Sequence, residues 1–526
     1  EELVITLPST VNTGNTATVE ITYNGTPPPS GFDSFGTGTH AGTPVMWTLS
    51  EHFGARDWWP CKQDLNDKIN LVDIYITAPS QYVAASNGLE QSQTINGALK
   101  TTHFRHNYPI PAYLICFAVT NYSVYTQTAG TPPNTFPIVN YVYPENFNAT
   151  TQAQMDETLA IMDFFESTFE PYPFSNEKYG HAQFGWGGGM EHTTISFMNN
   201  FSRGLIAHEL GHHWFGDKVT CGSWKDIWLN EGFATYMASM VIEQFDGETA
   251  FIADKTAMIS NITSQTTGAV YLTDAEALNA SRIFSSRLSY NKGAMVLHML
   301  RFKLGDAVFF QALRNYLADP TLAYNYAVTA QLKMHLETAA NEDLTEFFND
   351  WVYNQGYPTY TVTAQNWGGG QAKIILNQTQ SHPSVTFFEM PVPIRLTGSG
   401  GQTYDVVLNH TFSGEEFIIP VPFTVTGVQF DPKKHIISRN NTAQLDQALF
   451  TTAATIALYP NPTNQKVHLQ MPDQLNLETV TIYNSVGQMV GEYTHTDMDI
   501  RHLASGSYHV KILTSEGVFY KKLIKN

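Results

Sequence analysis

Residues 208–231 read HELGHHWFGDKVTCGSWKDIWLNE. The stretch puts a helical, metal-binding centre in the middle of a chain whose flanks read as β-structure. His208 and His212 are four apart, so in a helix both imidazoles leave one face at a separation that can grip a single zinc ion. Glu209 lies beside them, placed to act on a water rather than on the metal. Glu231, in Asn230-Glu231-Gly232-Phe233-Ala234, comes from the following helix and can close a His-His-Glu set that leaves a fourth position open. This pattern predicts a catalytic zinc centre with one ion per chain, not a structural one. The histidine pair alone also arises by chance on surface helices; a glutamate at a defined later position makes that reading poor.

Outward from this centre the periodicity changes twice. Residues 1–135 are β-like: LVITL (3–7), ATVEITYNG (17–25), NLVDIYITAP (70–79), KTTHFRH (100–106) and YLICFAV (113–119) are separated by Gly, Pro, Asn and Ser clusters. Residues 136–355 turn helical, as in 153–169, where Met155, Leu159, Met162 and Phe165 recur at helical spacing. Alternation returns over 356–440 and predicts a β-sandwich. A Thr-, Ala- and Asn-rich stretch, 441–455, reads as a linker, and the short strands of 456–526 as a second, smaller sandwich. The fold class is multidomain α+β.

At 526 residues the chain exceeds a single core. A 42% apolar share with 13% aromatics excludes disorder, and the low charged fraction of 14% suits an extracellular surface. The net charge of −19 argues against nucleic-acid and anionic-membrane partners. No run is long and apolar enough for a membrane span, and a start at Glu1 without Met or leader suggests a processed or truncated chain. Cys61, Cys116 and Cys221 are too few for a disulfide framework and lack metal-site spacing.

Two further segments carry chemistry. Gly187-Gly188-Gly189-Met190-Glu191-His192 is either a flexible glycine loop or a strand edge. As an edge, Gly188, Gly189 and Met190 would pair with a substrate backbone and Glu191 would receive its amino terminus. Tyr290, in Tyr290-Asn291-Lys292-Gly293-Ala294, is an interfacial tyrosine or a phenol that donates to a developing oxyanion.

Together these segments resemble the aminopeptidase N family of gluzincin metallopeptidases. The resemblance covers nearly everything up to residue 440, including Ala55-Arg56-Asp57-Trp58-Trp59-Pro60-Cys61 in the first domain. It implies a thermolysin-like, mainly helical catalytic domain at 136–355 behind an N-terminal β domain truncated at its start. It also implies that Glu51, five residues before Arg56, helps hold the substrate amine. His192 departs from the family's Asn, and the family's large helical C-terminal domain has no counterpart here. The tail, with Tyr459-Pro460-Asn461-Pro462 and Leu503-Ala504-Ser505-Gly506, resembles the C-terminal sorting domain of type IX secretion substrates from Bacteroidetes.

The expected function is a secreted or surface-attached zinc aminopeptidase acting on peptides with a free amino terminus, with the secretion machinery as partner. His208, His212 and Glu231 would hold the metal, Glu209 and Tyr290 would act in catalysis, and Glu191 with Glu51 would bind the amine. Asp217, Asn230 or His213 would orient ligands, Asp217 foremost. The alternatives are a thermolysin-like endopeptidase, which has no use for amine-binding carboxylates, and a catalytically inactive surface binding protein.

Overall fold

Val72–Pro79 alternates inward and outward along its whole length and pairs with Leu99–His106, itself paired with Leu89–Asn96. Such strict period-two burial marks a sheet with one face on a core. The computed structural model describes every residue except 1, 2, 29–31, 33, 369, 447–455, 473, 474 and 516. It divides into two compact units, Glu1–Gly222 with Asp319–Ala327 and Ser223–Ala318 with Val328–Asn526. The division falls inside the quoted stretch, so His208, Glu209 and His212 belong to the first unit and Glu231 and Tyr290 to the second.

In the first unit a four-stranded sheet runs Phe35–His40, Thr43–Thr48, Phe117–Thr120, Val83–Ser86. A five-stranded mixed sheet runs Gly189–Met190, Ser196–Met198, Tyr179–Gln183, Asn134–Val142, Ser123–Thr131. Helix Ala149–Thr168 starts at Asn148, whose side chain accepts from the amides of Thr150 and Thr151 and so satisfies two orphan donors. It buries Met155, Ile161, Met162 and Phe165, and its Asp156 accepts from Gln127 of the sheet at 2.9 Å.

LVITL and ATVEITYNG differ from expectation. Among the described residues 3–28 there is no strand, and Val4 is 76% exposed. Alternation prepares one face, but a strand exists only when a neighbour takes its amides and carbonyls. No neighbouring strand among the described residues pairs with these segments.

The second unit opens with helices Trp228–Asp246 and Glu248–Ile262, followed by Gly293–Leu304, Asp306–Ala318 and Thr329–Ala340. A four-stranded sheet (Glu415–Pro420, Gln371–Gln380, Pro358–Gly368, Thr442–Leu445) and a three-stranded one (Thr403–His410, Met390–Gly398, Val425–Phe430) come next. Thr442–Leu445, expected as the start of a linker, is a strand parallel to Pro358–Gly368: Thr and Ala carry little signal, and pairing decided the outcome. The rest of that linker, 447–455, lies outside the described residues. The tail forms two sheets over its own core of Val467, Val480, Ile482, Met498, Val510, Ile512 and Leu523. The chain is therefore multidomain, with N-terminal β-structure, a helical middle and C-terminal β-strands.

Candidate active site

The motif helix Arg203–Gly211 buries Ile206, Ala207 and Leu210, a face one turn deep that leaves the opposite side to the histidines. His212 caps the helix, its amide bonded to the His208 carbonyl at 3.2 Å. The two Nε2 atoms stand 3.2 Å apart. Two tetrahedral zinc–imidazole bonds span about 3.3 Å between their nitrogens, so the pair fits one zinc ion. After His212 the chain turns back, with the Asp217 amide on the His212 carbonyl at 2.9 Å. Strand Val219–Cys221 then pairs with Asn325–Ala327.

Glu209 is buried and lies over Gly189. A Cβ at Gly189 would fall 2.2 Å from Glu209 Oε1, so only glycine lets the motif glutamate reach across the sheet edge. Gly189–Met190 is that edge, antiparallel to Ser196–Met198. Gly188 before it has φ of 130°, a conformation that side chains resist. Met190 is buried, and Glu191, Glu209 and His212 bring one ligand atom each within 4.8 Å of one another.

The Glu191 segment is tied to the N-terminal sheets by residues that sequence reasoning did not select. Asn87 donates to the carbonyls of Thr193 and Leu114 and accepts from the Cys116 amide, while the Gly88 amide donates to Thr194 Oγ1 at 3.1 Å. Their only sequence signal is a Ser-Asn-Gly turn. Glu51 is buried in a turn closed by Gly54 N–H to the Ser50 carbonyl at 2.8 Å, and Trp58 Nε1 donates to Ser50 Oγ. The buried phenol of Tyr113 is held well above the usual tyrosine range by burial and then by the charges of Glu191 and Glu51. Both carboxylates thus act electrostatically on one phenol of the first unit.

His192 is fully buried, edge-on to Phe197 at 4.5 Å, and burial pulls its pKa down to about 3. It stays neutral at ordinary pH and so brings no positive charge to the neighbouring Glu191. Asp217 is also buried, raised well above the carboxylate range by burial and then by Glu191; its Oδ2 is 3.8 Å from His213 Nδ1. His213 lies 3.0 Å from Tyr172 Oη and 3.5 Å from Ser196 Oγ, contacts that hold the turn. Lys68 donates to the Asp217 carbonyl at 2.9 Å. All three cysteines are free thiols.

In the second unit Glu231 is buried in the first turn of helix Trp228–Asp246, where the helix dipole favours a carboxylate. Asp226 accepts from Thr329 N and Oγ1, and Trp228 Nε1 donates to the same Oγ1 at 2.9 Å. Those bonds pin the helix start, next to the buried Asn230. Tyr290 is half-buried in the π-helical segment Ser286–Lys292, a distortion common at functional sites. The two segments are locked together by glycines: a Cβ on Gly232 would sit 3.0 Å from Gly293 Cα, and the reverse also holds. Glu231 adjoins one of these glycines, and Tyr290 precedes the other by three residues.

The first unit therefore sets a paired-histidine helix, with its glutamate, against a glycine sheet edge. Residues 153–351 match the Peptidase family M1 domain and residues 1–114 the Peptidase M1 N-terminal domain. Residues 457–526 match the Secretion system C-terminal sorting domain, which marks the protein as secreted or cell-surface. No helix among the described residues is long and apolar enough to cross a membrane. The chain is similar to glutamyl aminopeptidase of Rattus norvegicus, 27% identical over 410 residues, 71% of this chain and 42% of the relative. Aminopeptidase M1-C of Oryza sativa subsp. japonica is 28% identical over 338 residues, 60% of this chain and 37% of the relative. The chain spans less than half the length of these relatives.

Proposed function

We propose that this protein is a zinc-dependent aminopeptidase that removes single residues from the amino terminus of peptides outside the cell. His208, His212 and Glu231 hold one zinc ion in this reading, through a thermolysin-like catalytic segment at 136–355 followed by a β-sandwich at 356–440. When bound, zinc polarises the scissile carbonyl and makes its water acidic. Glu209 takes the proton of the attacking water and returns it to the leaving amine. Tyr290 donates a hydrogen bond to the carbonyl oxygen as charge builds on it. The edge Gly188-Gly189-Met190 aligns the substrate backbone as an added strand. Glu191, with Glu51, pairs with the α-ammonium, so the cut falls after the first residue. Asp217 supports the turn that carries His212. The secretion machinery is the partner of the tail.

The observation that carries this reading is the Glu191, Glu209 and His212 cluster at the glycine edge, with a second imidazole 3.2 Å from His212: an amine anchor stands beside the acid–base group. Mass spectrometry of an unblocked and an acetylated decapeptide, with and without chelator, tests it. Stepwise single-residue loss from the free peptide alone supports the assignment. Internal fragments from both peptides make the protein an endopeptidase; no cleavage by the zinc-loaded protein makes it a binding protein.

A further inference from the structure

The second unit contains a pocket of about 740 Å³ whose lining includes Lys225, Arg282 and Arg287, with Tyr271 and Tyr353. Lys225 belongs to the turn Trp224–Asp226 just before the Glu231 helix, and Arg287 to the segment Ser286–Lys292 that carries Tyr290. The pocket therefore borders the two segments that carry Glu231 and Tyr290.

Its wall carries three cations and two carboxylates, Asp274 and Glu276, a positive excess in a chain of net charge −19. Lys225 is answered by Asp274 at 3.0 Å and Arg282 by Glu276 at 2.9 Å. Arg287 has no carboxylate partner among the described residues and donates to the carbonyls of Ile262 and Thr267. Lys292, buried in the same segment, reaches the Asn354 carbonyl at 3.5 Å. Arg282 Nη1 is buried with no hydrogen-bond partner among the described residues. Burial and then the charge of Arg282 lower the pKa of Arg287, and burial followed by both arginines lowers Lys292 to about 7. A desolvated guanidinium nitrogen without an acceptor, beside uncompensated like charges, is a costly arrangement that a carboxylate relieves. Tyr271 and Tyr353 meet edge to face at 5.1 Å and offer an apolar wall for the carbon stem of such a ligand.

We propose that this pocket is a subsite for a carboxylate of the peptide substrate, received by Arg282 Nη1 and the Arg287 guanidinium. The proposal rests on the peptidase reading above. The carboxylate has two sources, an acidic side chain or the peptide's own carboxy terminus.

Paired peptides test it: Glu against Gln at each of the first three positions, and free against amidated carboxy terminus, on the zinc-loaded full chain. One pair should differ in kcat/KM by about tenfold in favour of the carboxylate, and the pair that differs identifies the source. The ratio should fall toward one in Arg287→Gln and favour a Lys peptide in Arg287→Glu, an inversion that misfolding cannot produce. Equal cleavage of every pair by the wild type, or a preference that survives in the Arg282→Gln, Arg287→Gln double variant, overturns the proposal. Equilibrium binding of the same pairs to Glu209→Gln reads the subsite without turnover. If the wild type cleaves nothing, the peptidase reading falls, and this binding ratio decides the pocket by itself.

Discussion

The candidate-site carboxylates of the first unit and the pocket cations of the second lie in different surroundings. In the first, Glu51, Glu191, Glu209 and Asp217 are all buried, together with the neutral His192. In the second, Lys225, Arg282 and Arg287 line an open pocket and two of them are paired with carboxylates. Burial strengthens any interaction with an incoming opposite charge and raises the cost of leaving the group alone. Buried carboxylates of this kind would hold an incoming ammonium more tightly than the partly exposed side chains of Lys225 and Arg287 would hold a carboxylate.

The comparison breaks first at the acid–base group. Chelation should abolish turnover, and Glu209→Gln should keep zinc while losing at least roughly a hundredfold in kcat; metal analysis beside steady-state kinetics checks both. Glu191→Ala should cost free-amine peptides a few kcal/mol of transition-state binding, Glu51→Ala less. Neither variant should affect the already poor cleavage of acetylated peptides, and equal losses on both substrate types would remove the amine role. Tyr290→Phe should lower kcat more than it raises KM; unchanged kcat would return the phenol to packing. Gly189→Ala is sharper in mechanism though smaller in effect. Its methyl lands on the Glu209 carboxylate, so kcat should drop by about tenfold as a displaced acid–base group does, with zinc content and melting temperature little changed.

The smallest effect concerns His192. Its native pKa of about 3 lies below the unfolded value. The unfolded chain therefore binds the extra proton between pH 3 and about 6.5, and the stability from the neutral buried ring, complete above about 6.5, is lost as pH falls through that window. His192→Asn should flatten the fall in melting temperature between pH 7 and pH 4.5, a contribution of up to about 2 kcal/mol near pH 5. An unchanged slope would show that the ring is already solvated. Between pH 6.5 and 8, kcat/KM should carry no titration from His192.

The local geometry of the candidate site was legible where its residues are neighbours in the chain. His208, Glu209 and His212 lie within a single helical turn, so spacing alone predicts a shared face, and the observed 3.2 Å between the imidazoles follows from helix geometry. The helical middle and the tail strands were legible for the same reason, since their periodicity is strong over many residues. Pairing was not. LVITL and ATVEITYNG alternate as well as Val72–Pro79 does, yet only the last finds a neighbour, while Thr442–Leu445, nearly featureless, gains one. Alternation specifies a face; the ladder depends on a second segment that local sequence does not name.

What the sequence by itself determined is the set of residue types in the candidate site, two imidazoles, carboxylates and a phenol at telling spacings, and the sorting domain of the tail. What only the tertiary structure decided is distance across the chain. Gly189 must be bare because Glu209 lies on it from a helix twenty residues later, and Gly232 and Gly293 must both be bare because two helices touch there. Asn87 holds the Glu191 loop from more than a hundred residues away. The cations of the pocket, unremarkable as letters, matter because the fold sets three of them around one space. Side-chain chemistry is local and therefore readable in order; close approach and burial belong to pairs of segments, and those are set only when the chain has folded.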